Sequence, residues 1–157
     1  MEYCIRKYKT SDESALLAVF DSNVPEYFNP EERKPFLDFL QEGVNGQELY
    51  EVLELNGSVI AAGGYRIEKP GDARICWLMV ERSQHQKGWG KCLLEGQMKR
   101  IEDSEHFNMI SLMTSQHTDE FYEKMGFVRT DYKEDYWAKG MHLVMMEKSL
   151  KKQQDGT

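Results

Sequence analysis

Apolar residues recur along the chain at two spacings, and the changes between them divide it into elements. Residues Glu2 to Tyr8 mix apolar and charged positions and predict a first strand. Thr10 followed by Glu13 fits a capping box with Thr10 as the N-cap, and Ala15, Leu16, Val19 and Phe20 then recur at helical spacing. Asn29-Pro30 with Glu32 marks a second helix start, with proline at the first helical position. Phe36, Leu37, Phe39 and Leu40 give that helix its apolar face, and Gly43 is its expected stop. From Glu48 to Leu55 the pattern alternates, Leu49, Glu51, Leu53 and Leu55 against Tyr50, Val52 and Glu54, which predicts a strand. Asn56-Gly57 is the strongest hairpin signal in the chain, and Ser58 to Ile67 is the expected return strand. Gly63-Gly64 within it predicts a bulge or the close approach of another backbone. Lys69-Pro70-Gly71-Asp72 reads as a turn, and Ala73 to Val80 is apolar enough for a central buried strand.

Helical spacing returns from Gly88 to Glu102, carried by Leu93, Leu94, Met98 and Ile101. Met109 to Met113 is a short apolar strand, and Asp119 to Met125 a short helix ended by Gly126. Phe127 to Tyr132 and Met141 to Leu150 close the pattern as two strands, with Met141, Met145 and Met146 packing the last. The expected class is α/β (α+β), a central mixed, mostly antiparallel sheet of about six to seven strands flanked by about four helices. One domain over residues 1–150 and a polar tail over 151–157 account for the chain.

Composition narrows the function classes. The 157 residues carry 20 Lys+Arg and 27 Asp+Glu, a net charge of −7, which argues against a phosphate-backbone binder and so against nucleic acid. No apolar run is long enough to span a membrane, and the first residues lack the apolar core of a secretory signal. Cys4, Cys76 and Cys92 are scattered and odd in number, so a reducing, cytoplasmic setting is the expectation. His85, His106, His117 and His142 show no metal spacing with any cysteine, and no metal is expected. Glu26, Glu31, Glu32, Asp38 and Glu42 read as a solvated helix face.

Candidate chemistry concentrates in Val80 to Leu94, where an apolar strand runs through a loop and Gly88-Trp89-Gly90 into an amphipathic helix. Glycines let backbone approach a ligand, and helix-start amides favour anions. Lys87 and Lys91 add positive charge. The segment is either a pyrophosphate cradle or a plain strand-to-helix turn. A dinucleotide fingerprint would need glycine at Leu93, and a P-loop would need glycine at His85 and Ser or Thr at Cys92, so both fail.

With His85-Gln86-Lys87-Gly88-Trp89-Gly90 ahead of Leu93-Leu94, and with Phe121-Tyr122-Glu123-Lys124-Met125-Gly126-Phe127 beyond it, the chain resembles the GNAT superfamily of acyl-CoA-dependent N-acetyltransferases. The first segment is similar to that family's Gln/Arg-x-x-Gly-x-Gly/Ala signature, the second to its aromatic-Tyr-Glu-Lys-x-Gly-Phe box, and the element order matches along nearly the whole chain. The resemblance implies acetyl-CoA as co-substrate, lying in a split between the strand ending at Val80 and the strand over Met109 to Met113. It implies that backbone groups of Leu78 and Val80 meet the pantetheine arm, and that amides around His85, Gln86, Lys87, Gly88, Trp89, Gly90 and Lys91 hold the pyrophosphate. It implies a Val80 N–H polarising the acetyl carbonyl, and Tyr122 as the catalytic group that assists the departing thiolate.

Three departures from the family pattern involve four residues. His85 replaces Gln or Arg, Ser115 replaces an asparagine seven positions before Tyr122, and Arg74 and Cys76 stand where many members carry a catalytic Glu or His. Glu68, Glu81, His85 and His117 are the remaining candidate bases. Arg74, with Cys76 nearby on the acceptor side, would suit a carboxylate-bearing acceptor. The expected function is acetyl transfer to a primary amine of a small molecule, amino acid or peptide, by direct attack and without a metal. The alternative is a CoA-binding sensor or interaction module without turnover. A homodimer is compatible with the sequence.

Overall fold

A computed structural model describes residues 2–150; the expected tail over 151–157 lies outside them. Seven strands form one mixed sheet, β1 (Tyr3–Lys7), β2 (Leu49–Leu55), β3 (Ser58–Lys69), β4 (Asp72–Val80), β5 (Met109–Thr114), β6 (Val128–Ala138) and β7 (Met141–Ser149). Their hydrogen-bonded order is β1-β2-β3-β4-β5-β7-β6. Four helices accompany them, α1 (Glu13–Ser22), α2 (Arg33–Gln41), α3 (Trp89–Asp103) and α4 (Asp119–Lys124). The expected class and element order therefore hold. The described residues divide into two compact units, one of Glu2–Arg66 with Ile75–Gln97, the other of Ile67–Arg74 with Met98–Leu150.

In the first unit, β1 and β2 are antiparallel, and β2 turns into β3 through Asn56 and Gly57, both at positive φ (51° and 86°), as a type I′ hairpin requires. Leu16, Val19 and Phe20 of α1, Phe36 and Leu40 of α2, and Tyr50, Val52, Ala62, Cys76 and Met79 of the strands form one core cluster. Leu53, Ile60, Ala61 and Leu93 form a second. The period-two pattern of β2 thus buries residues on both faces, and Glu51 is buried as well. Close backbone approach is what Gly64 serves, because a Cβ there would lie 2.0 Å from the Leu49 carbonyl oxygen. The bulge expected at Gly63-Gly64 lies instead where the register slips between Leu53↔Ala61 and Glu54↔Val59, which leaves Ile60 as the extra residue.

The cap predicted at Asn29 holds, although a 3₁₀ turn over Pro30–Glu32 precedes α2, whereas the cap predicted at Thr10 does not hold. Asn29 Oδ1 accepts from the Glu31 N–H at 3.1 Å, and the Glu32 carboxylate accepts from the Asn29 N–H at 2.8 Å. Ahead of α1 a 3₁₀ turn over Thr10–Asp12 intervenes, and Asp12, not Glu13, reaches back to the Lys9 N–H at 2.8 Å. The box is displaced by one residue because Asp12 also meets Arg6, whose guanidinium donates to both its carboxylate oxygens at 2.8 Å.

In the second unit, the start of β4 pairs in parallel with β5, from Asp72↔Met109 to Arg74↔Ser111. β7 is antiparallel to both β5 and β6. Met141 and Met146 are buried, with Met145 half-buried. β6 runs six residues beyond the Tyr132 expected for its end. Its residues from Val128 to Tyr136 are exposed, so they carry no apolar alternation for a pattern to detect.

Candidate active site

The segments that the sequence singles out lie one in each unit. In the first unit, β4 ends at Val80 and the chain passes through a 3₁₀ turn over Arg82–Gln84 into α3. Glu81 shapes that turn, its carboxylate accepting from the Ser83 N–H at 2.8 Å and from the Ser83 hydroxyl. His85 is extended, and Gln86 and Gly88 then adopt positive φ of 62° and 86°. Left-handed residues in a loop are a feature of the backbone concavities that bind anions. The Gly88 carbonyl accepts from the Cys92 N–H at 2.9 Å, which makes Gly88 the flanking residue of α3. The N–H groups of Trp89, Gly90 and Lys91 therefore lack intrahelical acceptors. A Cβ on Gly88 would meet nothing within 4 Å, so the loop is open on that side. Trp89 packs its ring at 5.4 Å from Tyr3, which pins the first turn of α3 to β1.

β4 is distorted ahead of this loop. Trp77 has φ of 44° in mid-strand, a conformation that costs a non-glycine residue about 1–3 kcal/mol. The Tyr50 hydroxyl stabilises it by donating to the Trp77 carbonyl at 2.9 Å. Phe28, Phe36 and Phe39 surround the Trp77 ring with centroids at 6.2, 5.0 and 6.1 Å. No sequence signal marks this position, because tryptophan gives no hint of a left-handed backbone. Cys76 beside it is buried, its thiol pushed up to about 12 by burial and donating to Gln47 Oε1 at 3.3 Å. A thiol so placed stays protonated and is a packing residue with one hydrogen bond. Leu78 packs against the second core cluster.

In the second unit, Tyr122 is buried on α4, with its ring at 5.0 Å from Phe121 and 5.9 Å from Phe127. Gly126, at φ 99°, ends the helix as the sequence predicts. The Gly126 N–H bonds the Glu123 carbonyl at 3.0 Å and the Phe127 N–H bonds the Tyr122 carbonyl at 3.1 Å, a Schellman closure. The Glu-Lys-x-Gly-Phe run thus fixes Tyr122 through its carbonyl and its ring. Burial raises the Tyr122 phenol well above its ordinary value, so it keeps its proton through the neutral range. Ser115 is buried at the head of α4, its carbonyl accepting from Thr118 and Asp119 at 3.1 and 3.0 Å and its hydroxyl accepting from the His117 N–H at 3.3 Å. Arg74 donates through Nε to Ser111 Oγ at 2.8 Å, and Ser111 donates in turn to Asp72 at 2.7 Å.

Among the described residues, no group of three or more His, Cys, Asp or Glu side chains is arranged to hold a metal ion, and no helix is long and apolar enough to cross a membrane. No curated protein matches the sequence. Solved structures do match the fold. The ribosomal-protein-S18-alanine N-acetyltransferase of Escherichia coli superposes with a TM-score of 0.79 at 18% identity, over 99% of each chain. An aminoglycoside 6′-N-acetyltransferase complexed with coenzyme A gives 0.77 at 15% identity, over 97% of this chain and 99% of that one. yncA of Salmonella typhimurium, solved with its cofactor acetyl-CoA, gives 0.75 at 14% identity, over 100% and 99%. At such identities the likeness shows the fold. The family is shown by the sequence itself, since the Acetyltransferase (GNAT) domain profile matches residues 17–150. The chain belongs to the GNAT family and is an acyl-CoA-dependent acetyltransferase.

Proposed function

We propose that this acetyltransferase moves the acetyl group of acetyl-CoA to a primary amine, borne by a small molecule, an amino acid or a peptide, by direct attack. The observation that carries the reading is the run from Val80 to Lys91, with two left-handed residues and a helix start turning backbone N–H groups outward. The N–H groups from Gln86 to Lys91 suit a pyrophosphate, with Lys87 and Lys91 adding charge, and the backbone at Leu78 and Val80 suits the pantetheine arm. The Val80 N–H then polarises the acetyl carbonyl. As the neutral amine nitrogen bonds to the carbonyl carbon, the C–S bond breaks, Tyr122 donates a hydrogen bond to the leaving sulfur, and the proton that the nitrogen sheds passes to the thiolate or to solvent. Its raised pKa makes it a donor that does not ionise at neutral pH; a free thiol ionises near about 8.5, so the thiolate needs only modest help.

The attacking amine sets the larger demand. An alkylammonium of pKa about 10.4 is roughly one part in 10³ neutral at pH 7, a cost of about 4–5 kcal/mol unless the site lowers it. Cys76 does not serve as base, because its thiol is held protonated. Arg74, anchored through Nε, has its terminal nitrogens to offer a carboxylate, which favours amino-acid or peptide-like acceptors.

The test is thiol release from acetyl-CoA with a panel of primary amines, each offered with and without a neighbouring carboxylate. Release is expected with at least one amine, and Arg74→Ala should raise KM for the carboxylate-bearing members well above its effect on the simple ones. Equal effects on both would remove Arg74 from acceptor binding. Saturable acetyl-CoA binding with no release from any amine would favour a donor-binding module without turnover, the reading to which Arg74 and Cys76, standing where a base is usual, also point.

A further inference from the structure

The Val80 carbonyl accepts from two side chains at once. Asn23 Nδ2 donates to it at 2.9 Å, and His85 Nε2 lies 2.8 Å from it. A carbonyl oxygen only accepts, so the His85 ring nitrogen facing it carries a hydrogen. The orientation of Asn23 is equally fixed. Its Nδ2 also donates to the Val19 carbonyl at 2.9 Å, and Oδ1 is buried with no hydrogen-bond partner. A flipped amide would set oxygen against two carbonyl oxygens. The other half of the same peptide unit, the Glu81 N–H, bonds the Ile60 carbonyl at 2.7 Å. The peptide joining Val80 to Glu81 is thus held by three bonds, and both lone pairs of its oxygen are used.

The neighbours of Asn23 hold the same loop. Ser22 Oγ accepts from the Arg82 N–H at 3.0 Å, Glu26 pairs with the Arg82 side chain at 3.3 Å, and the Tyr27 ring meets the His85 ring edge-on at 5.0 Å. Segment 22–27, which begins at the last residue of α1, is therefore strapped across the passage from β4 into the cradle.

We propose that Asn23 and His85 are positioning residues for the donor site: their joint hold on the Val80 carbonyl fixes the Val80–Glu81 peptide, where β4 passes into the cradle loop, and takes up both acceptor positions of that carbonyl, so that the N–H is the polar group Val80 has left to offer the donor. His85, where the family carries Gln or Arg, thereby acts through its side chain on the strand end, besides any role of its backbone in the cradle. The inference rests on the acetyl-CoA reading above.

The test separates hydrogen bonding from ring packing by titrating acetyl-CoA into wild type and three His85 variants. His85→Gln keeps an N–H donor and loses the ring, His85→Phe keeps the ring against Tyr27 and loses the donor, and His85→Ala loses both. If the hold on Val80 matters, Gln binds acetyl-CoA within about threefold of wild type, while Phe and Ala lose about tenfold, one hydrogen bond's worth. Gln weakened with Phe preserved would make His85 a packing residue, and equal binding or equal loss in all three would also overturn the proposal. His85 is half-buried in a loop, so these variants do not strain the core as Asn23→Ala would. If wild type itself binds no acetyl-CoA, the donor-site reading falls and this inference with it; if wild type binds and the pattern fails, the inference falls alone.

Discussion

Tyr122 does its proposed work while buried, and burial raises its phenol. A buried neutral hydroxyl is fixed in place and cannot be titrated away near neutrality. Tyr122→Phe keeps the ring between Phe121 and Phe127 and removes only the donor. It should lower kcat by about 10–10³-fold with acetyl-CoA affinity held, as loss of one donor to a departing charge does elsewhere. An unchanged kcat would take Tyr122 out of the chemistry. This residue was legible in the sequence because its neighbours are local, with the glycine and phenylalanine that lock it four and five positions away. Asn23 was not legible. Its partner is 57 residues distant, and a lone asparagine at the end of a helix looks like any cap.

At the scale of elements, the passage from β4 to α3 is where the sequence was most informative. Glycine at 88 answers a left-handed backbone, and the prediction of a helix start there holds to within a residue. Gln86 adopts the same conformation without glycine to announce it, so half of the loop's geometry was hidden. Gly90→Glu tests the loop with little risk to the helix, since an acidic side chain in a first turn stabilises α3 by about 0.3–1 kcal/mol. The same charge repels a pyrophosphate. The substitution should weaken acetyl-CoA binding by more than about 100-fold, roughly 3 kcal/mol, with a melting temperature equal to or above that of wild type. Binding retained would put the pyrophosphate elsewhere. The features missed at this scale have a common cause. The far part of β6 and the 3₁₀ turn ahead of α1 are set by exposure and by the Arg6–Asp12 pair, neither of which leaves a period in the chain.

At the scale of the whole molecule, the match over residues 17–150 and the seven-stranded sheet agree with the element order read from sequence. Charge at this scale bears on stability. The Arg6 guanidinium, donating to both oxygens, holds the Asp12 carboxyl below the usual carboxylate range, and the side chain is 7% exposed. A carboxyl whose folded pKa lies below its unfolded value stabilises the fold fully above the unfolded pKa, about 3.9. That contribution is lost as pH falls from there through the folded value. Asp12→Asn should therefore cost about 1.5–3 kcal/mol at pH 7 and progressively less below pH about 4, read from denaturant unfolding at both pH values. A cost independent of pH would mean that charge plays no part in it.

A net charge of −7 gives an anionic donor no general attraction, so binding must come from the local N–H groups and lysines of the cradle. Isothermal titration of acetyl-CoA into the protein, repeated with Gly90→Glu, tests that most directly. The account predicts saturable binding at one site per chain for wild type and its loss in the variant. No heat from wild type up to about millimolar ligand, some 4 kcal/mol of binding, would contradict it.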